Sequence, residues 1–380
     1  MNTRELVIQL KKQGVELWVD GNKLRYRAPV GIINPAMREL LENRKADIID
    51  QLNHAALTAQ TNAGHKPLSF AQRRIWFFEQ LLPGSPAYNA HCVFRITGRL
   101  SIAALQDGLN EIVQRHSILR SECINTDSGP VQKVSREMRI RLRTIALPRN
   151  FVFDRDKKVR EIIAAEVRRP FDLLKAPFLR ATLLKLDGRT HIFILVTHHF
   201  VMDGYSLRVV FMKELSLLYA ASLKGKPSPL PKLSIQFHDY VENEQREFKT
   251  GKWKTQVEYW RRQLDGVPLL MQLPTYHGRS RVTTYRGAVR RFAITNPLSE
   301  NIKTLSRKVQ ATLFMTYLAA FHALLHRYTH AAQIVTGTTI SHRPNLKTED
   351  LIGPLANNLV LVSDVSDNPT FLICVNGFMI

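Results

Sequence analysis

Two periods of apolar and polar residues alternate along the chain, and the switches between them mark its elements. Leu6, Val7 and Leu10 recur at helical spacing, and Gly14 is placed to end that helix. Residues 15–19 then alternate, Asp20-Gly21 is a hairpin turn signal, and residues 23–27 alternate again. Pro35 opens a helical pattern with Met37, Leu40 and Leu41, and Ile48, Ile49 and Leu52 mark another. The pattern predicts a small αββαα module over residues 1–53.

Residues 54–66 carry Ala, Thr, Asn and Gln without an apolar period and predict a linker. From Pro67 the chain mixes long helices, expected at 70–82, 101–115, 158–168 and 205–221, with strands at 93–96, 179–186 and 192–196. Asp187-Gly188 predicts a hairpin between the last two strands. A proline-rich stretch at 226–231 separates a first half, 67–225, from a second, 226–380. The fold class expected is α/β in the broad α+β sense.

Composition narrows the function classes. With 380 residues and 44% hydrophobic content, the chain can bury a sizeable core, which excludes wholesale disorder. No apolar run approaches the roughly 20 residues of a membrane helix, and the N-terminus lacks a secretory layout, so a cytoplasmic protein with no membrane partner is expected. Three scattered cysteines argue against a disulfide framework or a zinc knuckle. Lys and Arg total 54 against 32 Asp and Glu, a net charge of +22. The excess is spread over the whole chain rather than gathered in a stripe, which favours a solvated basic surface first, a phosphate-bearing protein partner next and nucleic acid last.

The segment richest in chemistry is HIFILVTHHFVMDGYSLRVV, residues 191–210. Its apolar run of strand length should be buried on both faces. It ends in His198-His199, and Asp203-Gly204 follows before an amphipathic helix. Asp203 is placed to cap that helix. Adjacent histidines at a strand end point to opposite sides, so one of them can face a cleft. An imidazole suits general-base work at neutral pH. The helix N-terminus offers amides to a developing oxyanion, and Gly204 allows close approach. The plainer reading is a packed histidine pair beside a capping aspartate. No further ligands stand at zinc spacing, so no metal is expected.

His198 to Gly204 matches the HHxxxDG signature, and here the chain resembles the condensation domains of nonribosomal peptide synthetases, which are chloramphenicol acetyltransferase-like. Other segments resemble that family in the same order: residues 69–76 its SxAQxRxW motif, 115–120 its RHxxLR, 171–173 with 177–180 its FDL and PLxR, and Tyr285-Arg286-Gly287 its YRG strand. Residues 312–314 with 318–321 resemble its TLF and LAAF helix, and 352–358 its IGxFVNT with three departures. Asp239-Tyr240 begins a DYAxW motif that is not completed. The first fifty-odd residues resemble a TubC-type N-terminal docking domain.

The resemblance implies a V of two α/β sandwich lobes with the site in a tunnel between them. It implies His199 as the catalytic residue, His198, Asp203 and Gly204 as supporting residues, Arg286 as the ion-pair partner of Asp203, and Asn357 as a tunnel-lining residue. Arg286 taken alone would read as an exposed strand arginine. Substrates would arrive as thioesters on the phosphopantetheine of carrier proteins, with no cofactor bound by this chain. In the docking domain, Trp18, Lys23, Arg25 and Arg27 would hold an acidic C-terminal peptide of an upstream synthetase subunit by strand addition, or would only solubilise an edge strand. A dimer through this module is implied as well. The family's second lobe extends past the last residues here, so a truncated, incomplete second lobe is expected. Three readings stay open: an amide-forming acyltransferase, a non-catalytic docking and carrier-recruiting protein from a truncated gene, and an acetyltransferase using a soluble CoA thioester.

Overall fold

The computed structural model describes residues 6, 10, 14–20, 23–29, 32–49, 65–126, 129–147, 154–268, 270–275, 287–367 and 369–377. They belong to two compact units, 1–66 and 67–380.

In the first unit Leu6 and Leu10 are helical and fully buried. Gly14 follows with φ +80°, the left-handed conformation that favours glycine at a helix end. β1 (Glu16–Asp20) and β2 (Lys23–Arg27) form the expected hairpin, with Trp18 opposite Arg25 and Glu16 opposite Arg27. The side chain of Asn34 caps α1 (Pro35–Asn43) by accepting from the Met37 amide at 2.8 Å, and residues 45–49 are helical again. Leu6, Leu10, Val15, Leu17, Leu41 and Ile48 make the small core.

A short strand, β3 (His65–Pro67), leads to α2 (Phe70–Leu81), which is capped by Ser69. Then come β4 (Asn89–Thr97), α3 (Ile102–Arg115), and the antiparallel pair β5 (Ser121–Thr126) and β6 (Gly129–Val134). β7 (Leu142–Ala146), α4 (Arg155–Arg168) and β8 (Leu179–Lys185) form a βαβ unit whose strands run parallel. β8 turns back into β9 (Thr190–His198), where the Asp187 carboxylate accepts from the amides of Arg189 and Thr190. The sheet order is β4-β9-β8-β7.

Helices cover both faces of this sheet, which is why β9 reads as a continuous apolar run. On one face Phe193 and Leu195 join the main core with Leu105, Leu109 and Ile112 of α3 and Leu215 and Leu218 of α5 (Met212–Leu223). On the other, Ile192, Ile194 and Val196 meet Val159, Ile162 and Ile163 of α4.

The second half contains α6 (Phe237–Lys249), α7 (Lys254–Gln263), α8 (Asn296–Lys308), α9 (Leu313–Thr329) and the antiparallel strands β10 (Gln333–Ser341) and β11 (Ala356–Asp364). α10 (Leu346–Glu349) lies between those strands, and α11 (Phe371–Asn376) follows them. The YRG strand does not appear at Gly287, which lies in irregular chain, while Tyr285 and Arg286 fall outside the described residues. No described helix is long and apolar enough to cross a membrane.

The segment between α10 and β11 and helix α6 both tie the second half to the first, α6 through Gln236, Glu244 and Gln245, which bond to Ser117, Phe70 and Leu68. Leu351, Ile352 and Leu355 are buried in the main core beside Phe237 and Val241 of α6. A Cβ on Gly353 would sit 2.2 and 2.5 Å from ring carbons of Phe237, itself fully buried. Gly353→Ala should therefore cost about 1–3 kcal/mol, the usual range for overpacking, measured by denaturant unfolding. Adding Phe237→Leu should recover part of that loss. An unchanged unfolding midpoint in the single variant would contradict this packing.

Candidate active site

β9 ends at His198, and His199 opens the turn that follows it. His198 is 1% exposed, whereas His199 is partly exposed. The Nδ1 of His198 accepts from the Phe200 amide at 3.2 Å, which puts the ring proton on Nε2. That Nε2 lies 3.4 Å from Oε1 of Glu79 on α2. The rings of Phe171 and Tyr88 pack against His198 at centroid distances of 5.9 and 6.1 Å. His198 is thus enclosed, its Nδ1 hydrogen-bonded and its Nε2 beside the Glu79 carboxylate without a hydrogen bond.

The backbone amide of His199 donates to the Tyr88 carbonyl at 2.8 Å, and the Tyr88 ring meets its imidazole edge-on at 6.4 Å. No described residue hydrogen-bonds the His199 ring. Burial pushes its pKa below the ordinary 6.5, and His198 pushes the same way, against a smaller upward pull from Asp203. The shift favours the neutral imidazole, and neither ring nitrogen is engaged by the described residues.

The turn after His199 is held from several directions. Gln72 of α2 donates to the Phe200 carbonyl at 3.1 Å. Asp203 is 1% exposed, and its two oxygens accept five hydrogen bonds. One oxygen takes the Ser206 amide at 2.7 Å and Nη2 of Arg343 at 3.2 Å. The other takes Nη1 of Arg343 at 3.2 Å and the amides of Leu355 and Ala356 at 3.1 and 2.9 Å. The first of these contacts is the expected helix cap. The rest bind the turn to the second half of the chain.

Arg343 is the ion-pair partner of Asp203 found in the structure, whereas Arg286, the residue expected there, lies outside the described residues. The Arg343 guanidinium also donates to Ser206 Oγ at 2.8 Å and to the Leu351 carbonyl at 3.3 Å, and it stacks over the Tyr205 ring at 4.3 Å. Ser206 Oγ in turn joins the carbonyl and the amide of Gly353 at 3.0 and 3.1 Å.

The helix that begins at Gly204 runs through a wide π-type segment, Ser206–Phe211, before α5. Neither the Gly204 nor the Tyr205 amide has an acceptor among the described residues. A Cβ on Gly204 would meet nothing within 4 Å, so open space adjoins those amides. Asn357 is exposed near the start of β11, opposite Ile340, and its Oδ1 accepts from the Asn358 amide at 2.9 Å. Arg25 and Arg27 are exposed on β2, whereas the side chains of Trp18 and Lys23 lie outside the described residues.

Arg343, Glu79 and Tyr88 were not singled out from sequence. Each reaches the site across more than 100 residues, which no local spacing reports. Among the described residues no group of three His, Cys, Asp or Glu side chains converges as for a metal, and all three cysteines are free.

The Condensation domain family matches residues 62–378, and the TubC N-terminal docking domain matches residues 4–53. The chain belongs to the condensation-domain family. Chondramide synthase cmdD of Chondromyces crocatus is 35% identical over 326 residues, 84% of this chain and 8% of that protein. Phosphinothricin tripeptide synthetase PhsC of Streptomyces viridochromogenes is 33% identical over 333 residues, 87% of this chain and 31% of that protein. The chain thus spans a small part of the curated relatives it matches. Among solved structures, the X-domain from teicoplanin biosynthesis superposes with a TM-score of 0.72 at 26% identity, covering 82% of this chain and 68% of that one. The first condensation domain of the CDA synthetase gives a TM-score of 0.70 at 21% identity, covering 83% of this chain and 74% of that one, a likeness of fold.

Within the condensation domain, Asp203 and Arg343 are both almost fully enclosed. Arg343→Ala leaves the Asp203 charge buried with three amides alone and should cost about 3–5 kcal/mol. Arg343→Met with Asp203→Asn should cost less than Arg343→Ala by itself. Equilibrium unfolding checks both, and equal stability of wild type and Arg343→Ala would contradict the role given to the pair.

Proposed function

We propose that the condensation domain forms an amide bond between a donor acyl thioester and the amine of an aminoacyl thioester, both presented on the phosphopantetheine arms of carrier proteins. The observation that carries this reading is the contrast within the histidine pair. One ring, His198, is enclosed and hydrogen-bonded through Nδ1. The other, His199, is partly exposed and unengaged by the described residues, and burial favours its neutral form.

The chemistry follows from that arrangement. The acceptor amine attacks the thioester carbonyl, and a carbon–nitrogen bond forms. His199 accepts the proton that the amine loses, or orients the amine through a hydrogen bond to it. The oxygen of the tetrahedral intermediate gains negative charge, and the Gly204 and Tyr205 amides at the helix start are available to it. Collapse expels the pantetheine thiolate, which takes a proton. His198, Asp203 and Arg343 hold the turn and take no part in proton transfer.

The N-terminal unit is read as the docking element. Arg25 and Arg27 on β2 would meet an acidic C-terminal peptide of an upstream subunit laid along the hairpin. Arg25→Glu with Arg27→Glu should weaken such a peptide at least about tenfold, since each lost charge-assisted contact is worth about 1.5–3 kcal/mol. Isothermal titration at low salt measures it, and equal affinity would rule the surface out.

With donor- and acceptor-loaded carriers, His199→Ala should lower the rate by about 10²–10⁴ while leaving carrier affinity unchanged. Equal turnover by the variant would end the catalytic reading. Absent turnover by the wild type, with peptide binding retained, would favour a docking protein without chemistry. The sign of the His199 shift is open to direct measurement. Its ring C–H signals, identified by their loss in His199→Ala, should titrate with a midpoint below 6.5. A midpoint at or above 6.5 would contradict the burial of this ring.

A further inference from the structure

Five arginines converge on a cavity of about 210 Å³ at one end of the four-stranded sheet. Arg139, Arg141 and Arg143 alternate along the approach to β7 and into it, while Ile140 and Leu142 between them are buried in the main core. Alternation in extended chain sends the three guanidiniums to one side, successive ones about 6.6 Å apart along the chain. The other wall is made by Arg180 of β8 and Arg169, which follows the end of α4.

Counter-charge is scarce here. Glu166 of α4 is the carboxylate at the site, and it is already occupied by Nη1 of Arg143 at 2.6 Å and Nη2 of Arg169 at 3.3 Å. No carboxylate pairs with Arg139 or Arg141 among the described residues. Arg180 is held in place by three carbonyls, of Pro170 at 3.1 Å, Glu166 at 3.3 Å and Arg169 at 2.5 Å, and by the Phe171 ring at 3.6 Å. Its Nε is buried without a partner. Burial, and then the charge of Arg169, draw its pKa down to about 10. Arg139, Arg141, Arg143 and Arg169 are exposed, as arginines that solubilise an edge strand would be, but here they line one concavity together with the half-buried Arg180.

We infer that this cavity is an oxyanion site that binds a phosphoryl group. The guanidinium fork matches phosphate oxygens, and the cavity has room for a pyrophosphate or a phosphate monoester with part of its alcohol. A bound phosphoryl group supplies the missing counter-charge to Arg139 and Arg141. The site stands apart from the amide-forming reading, since none of its arginines contacts His199. It adjoins the histidine pair through Phe171, whose ring touches both Arg180 and His198.

The test uses the full chain at fixed ionic strength, with potassium chloride as the control. Inorganic pyrophosphate should raise the unfolding temperature saturably, beyond chloride. Arg139→Gln with Arg141→Gln, two exposed positions outside the core, should weaken pyrophosphate at least about tenfold by titration calorimetry while leaving the ligand-free unfolding temperature unchanged. Phosphopantetheine and unphosphorylated pantetheine, run in parallel, separate the sources. Binding of the phosphorylated compound alone points to a phosphate ester, and binding of pyrophosphate alone points to the inorganic anion. Shifts no larger than with chloride, or equal affinity in the double variant, would overturn the proposal.

Discussion

The buried pairing of Asp203 with Arg343 is the constraint on which the site depends. A carboxylate out of water is costly unless nearly all of its lone pairs are met. Here five donors meet them, and they come from three stretches of chain: the helix start at Ser206, the end of β10 near Arg343, and the Leu355–Ala356 entry to β11. No single stretch satisfies the charge alone. The turn that carries His199 therefore has its geometry only when the second half of the domain is packed against the first. This also explains why Gly353 has no room for a side chain. Its backbone bonds to Ser206 while its α-carbon lies against the Phe237 ring.

A second constraint is the end of β9, which leaves His198 in the strand and His199 in the turn after it. The sheet face covered by α4 receives His198 and closes over it with Phe171 and Glu79. His199 is partly exposed beside the Tyr88 ring, with its proton affinity lowered by burial and by its neighbour. The two neighbouring rings thus end in different surroundings, one enclosed and the other partly exposed. The SxAQ segment near the start of the domain serves the same turn, since Gln72 reaches the Phe200 carbonyl.

Much of this could be read from the residues because its signals are local. The apolar run of β9, the Asp187-Gly188 hairpin, the Asp203 cap and the docking-domain hairpin each follow from spacings within a few residues. The arginine partner could not be read that way. Arg343 stands 140 residues from Asp203, ahead of a proline and two residues after a strand, a context that any surface arginine could share. Arg286, expected on resemblance, lies outside the described residues. The arginine cavity shows the same limit from the other side. The alternation of Arg139, Arg141 and Arg143 is visible in the sequence, but only the fold brings Arg169 and Arg180 to the opposite wall.

Amide hydrogen exchange measures the lock on the turn without any need for substrate. The amides of Ser206, Leu355 and Ala356 all donate to the Asp203 carboxylate and should open only with the domain as a whole. In native protein they should be among the slowest to exchange, and in Arg343→Ala all three should lose protection together. Fast exchange at these amides in the native protein, or slow exchange unaffected by the substitution, would show that the turn is held by something other than this ion pair.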